Sequence, residues 1–268
     1  MIDHFFNHFV TKDLFITNKD ENNKVAVIVE PRKHKHLIGV IKNVMSSLDN
    51  DWNLHIFGSD HNEEYIKINL KGNFTFTNLN MLDLNEISLT LLLQSLSFWE
   101  SINEEHILFF QVDSFINNKN YTIPMEYGFI GAIYMYGLCI ENKFIERTAC
   151  INNNNNVYNL CGGFSFRLKS VMIQCIKNVS LKDIIQYRKK HGLSIDYFLN
   201  KYVINEDVFF CNAMTILQYT HPSIEICNAF CSQNIINYES FGVHGFDKEY
   251  SNIDNRFIIQ SFARHTNI

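Results

Sequence analysis

The chain reads as an α/β protein with a central, mostly parallel sheet flanked by helices. Three observations carry this. A continuous β-branched run, "KVAVIVEPR" (24–32), leads into a segment of helical spacing, "HLIGVIKNVMSSL" (36–48), and then into a second short strand, "WNLHIFGSD" (52–60). A strand without polar alternation is covered on both faces, which is the habit of parallel sheets. Strand, helix and strand in that order make a β-α-β unit with a right-handed crossover. A further apolar strand, "HILFFQVDS" (106–114), stops abruptly at Gln111, Asp113 and Ser114.

Each element follows from its pattern. Pro31 ends the first strand. Leu37, Val40, Ile41, Val44 and Leu48 recur at helical spacing. Gly58, Ser59 and Asp60 close the second strand, and "EYIKINL" with "FTFTNLN" (64–80) read as a third strand or a hairpin. "NEISLTLLLQSLSFWESI" (85–102) reads as one amphipathic helix. "YGFIGAIYMYG" (127–137) is apolar and punctuated by glycine. "INNNNNVYN" (151–159) reads as a mobile loop. "CGGFSFRLKSVMIQCI" (161–176) reads as a tight Gly-Gly turn entering a helix, and "SLKDIIQYRKKHG" (180–192) as a helix with Gly192 at its C-cap. "EDVFFCNAMTIL" (206–217) is a helix opened by two acids. "YESFGVHGFDK" (238–248) puts His244 in a turn between Gly242 and Gly245. No linker or repeat interrupts the chain, so residues 1–268 read as a single domain.

Composition narrows the function classes. Hydrophobic residues make up 46% and charged residues 19% of 268, ample for a core. A net charge of −5 argues against nucleic acid as a partner. Seven cysteines without a CxxC pair read as reduced, buried thiols. No apolar run reaches about 18 residues and "MIDHFFNHFV" lacks the layout of a signal peptide. The expectation is therefore a cytoplasmic protein with no membrane span. Self-association into a homo-oligomer is compatible with all of this.

Ligands of such sheets sit beyond the carboxyl ends of the strands. Asp113 is at one such end, and Glu30, Arg32, Ser59 and Asp60 are at others. A lone Asp there either closes the strand as a turn residue or faces a cation.

"VIVEPR", "FWESI…ILFFQVDS", "GFIGA", "GGFSFR" and "EDVFF" occur in an order that resembles a glycosyltransferase-like family spread among giant viruses, bacteria and fungi. The resemblance covers roughly 24–250; it implies a nucleotide-binding half at about 24–115 and an acceptor half at about 116–250, with the asparagine loop beside the donor site and ordering when ligand binds. That family is similar in layout to the Rossmann-like GT-A class of nucleotide-sugar transferases. "EDVFF" also resembles the Glu-Asp-Val segment of inverting, fringe-like transferases. Two departures stand out. Gln111 occupies the place of the first acid of the usual Asp-x-Asp signature, and Cys161 stands where family members usually carry Asn.

The resemblance implies a metal-assisted, inverting enzyme that moves a sugar from a nucleotide sugar, a UDP-sugar favoured, to a glycan or other hydroxyl acceptor. A viral member would work in the host cytoplasm or travel in the virion. Mn²⁺ or Mg²⁺ would neutralise the leaving diphosphate, held by Asp113 and by His244, which resembles the late histidine that closes such sites. Glu30 and Arg32 would meet the base and ribose, and Gln111 and Ser114 would flank the phosphates. Gly162 and Gly163 would let backbone approach the sugar, with Ser165 or Arg167 bonding its hydroxyls. Asp207, with Glu206 as the alternative, would be the general base. Each has a plainer reading: an ion pair at Glu30 and Arg32, a loop histidine at 244, a turn at 162–163, and acids favoured by a helix dipole at 206–207. A degenerate protein that binds nucleotide or glycan without turnover remains open, because of Gln111. A nucleotidyltransferase would need two or more carboxylates near one strand.

Overall fold

The computed structural model describes residues 2–133, 150–151, 157–199, 201–233, 235–246 and 255–266. The expected loop at 152–156 lies outside these residues.

A six-stranded sheet forms the centre. Its strands along the chain are β2 (Lys24–Val29), β3 (Trp52–Gly58), β5 (Thr75–Asn78), β6 (His106–Phe110), β8 (Phe129–Ile133) and β11 (Leu160–Leu168); the short strands β1 (Phe15–Thr17) and β4 (Lys71–Asn73) pair with each other in a separate sheet. The spatial order is β5-β3-β2-β6-β11-β8. The first four strands are parallel; β11 runs antiparallel to both β6 and β8. β2 and β6 are apolar and buried along almost their whole length because helices and loops cover the sheet. Helix Leu37–Ser47 provides the crossover from β2 to β3 and buries Leu37, Val40, Ile41 and Val44.

Three sequence expectations change. "EYIKINL" belongs to helix Asp60–Asn69 rather than to a strand. Ile66, Ile68 and Leu70 alternate like a strand, but Ser59 caps the helix by accepting from His61 N–H, and Asp60 and Glu63 occupy its first turn. Ile66 is consequently buried while Ile68 is 73% exposed. The segment 85–102 divides into helices Glu86–Leu93 and Leu96–Glu100, because Ser95 starts a new helix by accepting from Phe98 N–H at 3.3 Å. The Gly-Gly pair lies inside β11, not in a turn. Phe164 and Phe166 alternate with Ser165 and Arg167 at strand period, and the pairing with β8 is irregular between Leu160 and Ser165. The helix expected after it begins only at Lys169.

A second sheet of three strands sits at the end of β6. It joins β7 (Ser114–Ile116) antiparallel to β13 (Gly242–His244), with β12 (Cys231–Ser232) parallel to β13. A short pair, β9 (Cys150–Ile151) and β10 (Val157–Tyr158), precedes β11. Among the described residues, the five cysteines at 161, 175, 211, 227 and 231 are buried free thiols, and no helix is long and apolar enough to cross a membrane.

The two sheets are tied together by a buried amide. Asn43, on the crossover helix, accepts from Ile116 N–H at 2.7 Å and donates to Ile116 O at 3.2 Å. Asn43→Ala would leave the Ile116 N–H buried and unpaired, at about 1–3 kcal/mol, while Ile116 O keeps His265 Nε2 at 2.8 Å. Chemical denaturation should report a loss in that range, with β7 the first element to lose amide-exchange protection. A loss below about 0.5 kcal/mol would show that the amide does not hold the sheets together.

Candidate functional site: two adjoining cavities at the strand ends

After β6 the chain turns at once. Ser114 N–H donates to Gln111 O at 3.0 Å, and Ser114 Oγ accepts from Gln111 N–H at 3.3 Å. Asp113 is therefore a turn residue, as the plainer reading had it, and the turn aims it at a partner. The register of the small sheet pairs His244 with Ser114, and Gly245 N–H donates to Asp113 O at 2.8 Å. His244 thus ends a strand, not a glycine turn, and its Nε2 lies 3.3 Å from Asp113 Oδ1 and 3.2 Å from Gln111 Oε1. Its Nδ1 lies 3.2 Å from Gln233 Oε1 and 3.4 Å from Cys161 Sγ. Burial disfavours the charged imidazole, but the Asp113 carboxylate and the Cys161 thiol outweigh it and hold His244 well above its usual range.

These atoms suit a hard or borderline cation. Two cis ligands on an octahedral ion, each at about 2.1–2.2 Å, lie roughly 3 Å apart, close to the spacings of Asp113 Oδ1 and Gln111 Oε1 from His244 Nε2. A cation would compete with the proton on that nitrogen. Among the described residues, no group of three or more His, Cys, Asp or Glu side chains could hold a metal, so the rest of a coordination shell would have to come from the ligand.

β11 forms the wall beside this group. Arg167 is fully buried, with its guanidinium 4.8 Å from the Phe129 ring centre, 5.3 Å from Phe109, 5.7 Å from Phe210 and 5.8 Å from Trp99. It donates to Ser165 Oγ at 2.9 Å, Gly162 O at 3.2 Å and Glu206 Oε1 at 3.1 Å. Glu206 and Asp207 open helix Glu206–Ile216. Consecutive helical residues point about 100° apart. Glu206 turns to Arg167, whereas Asp207 accepts from its neighbour Val208 N–H at 2.7 Å. Burial, followed by the charge of Glu206, pushes the Asp207 carboxyl up to about 7.

Two cavities meet here. One, of about 450 Å³, lies at the carboxyl ends of β2 and β6 and is lined by Glu30, Arg32, His34, Leu84 and Asp113 among others. The second, of about 460 Å³, is walled by Gly162, Gly163, Glu206, Asp207 and His244, with Tyr197 across from them. Glu86, Leu89 and Gln111 line both.

Comparison with known proteins adds the family. The family model described as protein of unknown function (DUF5672) matches residues 74–244. The chain belongs to this family. No curated protein matches it. Among solved structures, it is similar to an active-site mutant of LgtC, at 11% identity and a TM-score of 0.46, covering 88% of this chain and 95% of that one. It is also similar to the apo form of the glycosyltransferase GlyE from Streptococcus pneumoniae TIGR4, at 12% identity and a TM-score of 0.47, covering 90% of this chain and 60% of that one.

In this DUF5672 member the residues singled out in the sequence divide into two groups. Glu30, Arg32, Gln111, Asp113, Gly162, Gly163, Glu206, Asp207 and His244 line the paired cavities. Ser114, Ser165 and Arg167 do not: they are fully buried and bond within the protein, Ser114 to Gly163 O at 3.2 Å and Ser165 to Gly162 O at 2.8 Å. None of the three can reach a sugar hydroxyl. Ser59 and Asp60 likewise serve structure, as cap and first turn of a helix. Glu30 and Arg32 form the ion pair of the plainer reading, buried at Glu30 and half exposed at Arg32. Glu30 is 3% exposed and takes Arg32 in a bidentate grip, at 2.7 Å from Nε and 2.8 Å from Nη2. Sequence reasoning missed Glu86, whose Oε1 accepts from Asn205 Nδ2 at 2.7 Å. An acid after the cap residue Asn85 looks like an ordinary helix start, so no local signal sets it apart.

The raised carboxyl of Asp207 has a stability consequence. Its folded value of about 7 exceeds its ordinary 3.8, so the native state holds a proton that the unfolded chain has released. Stability from this group is present at low pH and is lost as pH rises from about 4 to about 7. Relative to the parent, Asp207→Asn should therefore gain thermal stability progressively over that window, and the gain should level off above it. A difference in Tm that is constant from pH 4 to 8 would contradict the assignment.

Proposed function

We propose that this chain is a GT-A-like glycosyltransferase, moving a sugar from a nucleotide sugar to a hydroxyl acceptor with inversion. The observation that carries the reading is the pair of adjoining cavities. One lies at the carboxyl ends of parallel strands, where such sheets bind nucleotides; the other is walled by a carboxylate suited to general-base work, and they share Glu86, Leu89 and Gln111.

In this reading the nucleoside diphosphate occupies the first cavity. Arg32, held by Glu30, faces its base and ribose, and the turn at 111–113 faces the diphosphate. Asp113, His244 and Gln111 would hold Mn²⁺ or Mg²⁺, which when bound neutralises charge on the leaving diphosphate. The sugar lies at the junction, where Glu86 and Gln111 offer polar atoms to its hydroxyls. The acceptor enters the second cavity. Asp207 takes its hydroxyl proton as the oxygen attacks, and one carboxylate suffices because an in-line displacement happens once. A base with a value near 7 is well matched to neutral pH. Glu206 is committed to Arg167, which supports Asp207 over Glu206 for this role. UDP-sugars are the favoured donors, by resemblance.

Gln111 favours a second reading, in which the chain binds a nucleotide sugar without turnover, since an amide is a poorer cation ligand than a carboxylate. Two variants separate the readings. Asp207→Asn should leave nucleoside-diphosphate affinity intact and reduce transfer by a factor on the order of 10² to 10⁴, the usual worth of a general base. Asp113→Asn should instead weaken Mn²⁺-dependent UDP affinity while the fold survives. Transfer by the parent protein should climb with pH to a plateau above about 7, as Asp207 releases its proton. A parent protein that binds UDP but never consumes donor supports the binding-only reading; unchanged transfer per folded molecule in Asp207→Asn removes that residue from the mechanism.

A further inference from the structure

Arg167 is a charge with no exposure to substrate, at the centre of the site's wall. It is fully buried, its guanidinium lies within 6 Å of four aromatic ring centres, and its Nη2 bridges Gly162 O and Glu206 Oε1. A buried cation is expensive unless paired, and removing one partner of such a pair strands the other charge. Four ring faces and one carboxylate are the means by which this protein keeps it. The same carboxylate is adjacent in sequence to Asp207, and the same Gly162 carbonyl belongs to the segment whose backbone also bonds Asp207.

We infer that Arg167 and Glu206 form a built-in electrostatic device that positions and tunes Asp207, with Arg167 the positioning residue and Glu206 its counter-ion. The inference rests on Asp207 being the general base of the proposed transfer. Glu206, on the same helix, adds negative charge next to Asp207. Arg167, from β11, adds positive charge behind it. The other ionisable groups lining that cavity are Glu86, Cys161, Tyr197 and His244, from other elements. The pair also fixes geometry: with Glu206 drawn to Arg167, the first helical turn is clamped to β11, and of the two acids on the cavity wall Glu206 is the one engaged by Arg167.

The device predicts opposite responses to removal of its two halves. Glu206→Gln takes away the neighbouring negative charge and leaves Arg167 uncompensated, so Asp207 should titrate lower. Arg167→Met keeps the bulk inside the aromatic cage and leaves Glu206 uncompensated, so Asp207 should titrate higher. Each shift should be about 1 unit, the usual effect of one nearby charge. Arg167→Lys, which keeps the charge, should stay near the parent. Two readouts apply: the midpoint of the Asp207 carboxyl carbon-13 resonance in the free protein, and the acidic limb of the transfer rate against pH. Midpoints that stay fixed, or move the same way in both variants, overturn the inference. If Arg167→Met does not fold, the downward shift in Glu206→Gln and the unmoved midpoint in Arg167→Lys still decide it. The two ideas fail separately: shifted resonances without donor turnover sink the transferase reading, and turnover with unmoved midpoints sinks the device.

Discussion

A Cβ on Gly163 would come within 2.0 Å of His244 Nε2, and one on Gly162 within 2.1 Å of Glu206 Oε1 and 2.5 Å of Arg167 Nη2. These contacts are far inside van der Waals range, and backbone glycine is what allows two other parts of the fold to rest directly on β11. From one side, the small sheet delivers His244 and through it Asp113. From the other, helix Glu206–Ile216 delivers Glu206 and Asp207. The site is therefore a convergence of two separately built edges on one strand that lacks side chains at the meeting point. Any larger residue at 162 or 163 would push one edge away, and the second cavity would lose part of its wall.

The edges are held with different kinds of force. On the His244 side the holding is by backbone register, since β13 against β7 sets His244 opposite Ser114, and Asn43 ties β7 to the crossover helix. On the Asp207 side the holding is by charge, through Arg167 in its aromatic cage. Register is insensitive to pH and salt, whereas a carboxylate pair is not. In the proposed reading, the His244 edge binds the ligand and the Asp207 edge moves the proton.

Much of the fold was legible because the parallel strands are continuous apolar runs and the crossover helix has clean 3.6-residue spacing. The errors fell where two local signals competed. At 64–70, period-2 hydrophobicity outweighed a weaker cap signal at Ser59, and the cap was the true guide. At 162–163, two glycines read as a turn because sequence alone does not reveal that His244, some eighty positions later, would need their space. The cavity-lining acids at 113, 206 and 207 were legible from strand ends and helix starts. The division of labour between Glu206 and Asp207 was not, since it depends on Arg167 reaching across from a different element. Ser114 and Ser165 looked like hydroxyls for a ligand, and only burial reveals that the backbone of the diglycine segment consumes them.

The most direct test of the account is nucleotide release. The protein would be incubated with UDP-, GDP- and TDP-sugars, with Mn²⁺ and with chelator, and free nucleoside diphosphate followed alongside the released or transferred sugar. The account predicts Mn²⁺-dependent release of one nucleoside diphosphate, UDP foremost, with sugar appearing on an added hydroxyl acceptor or slowly on water with inverted anomeric configuration. No release from any donor, together with no protection against thermal unfolding by any nucleoside diphosphate, would contradict it.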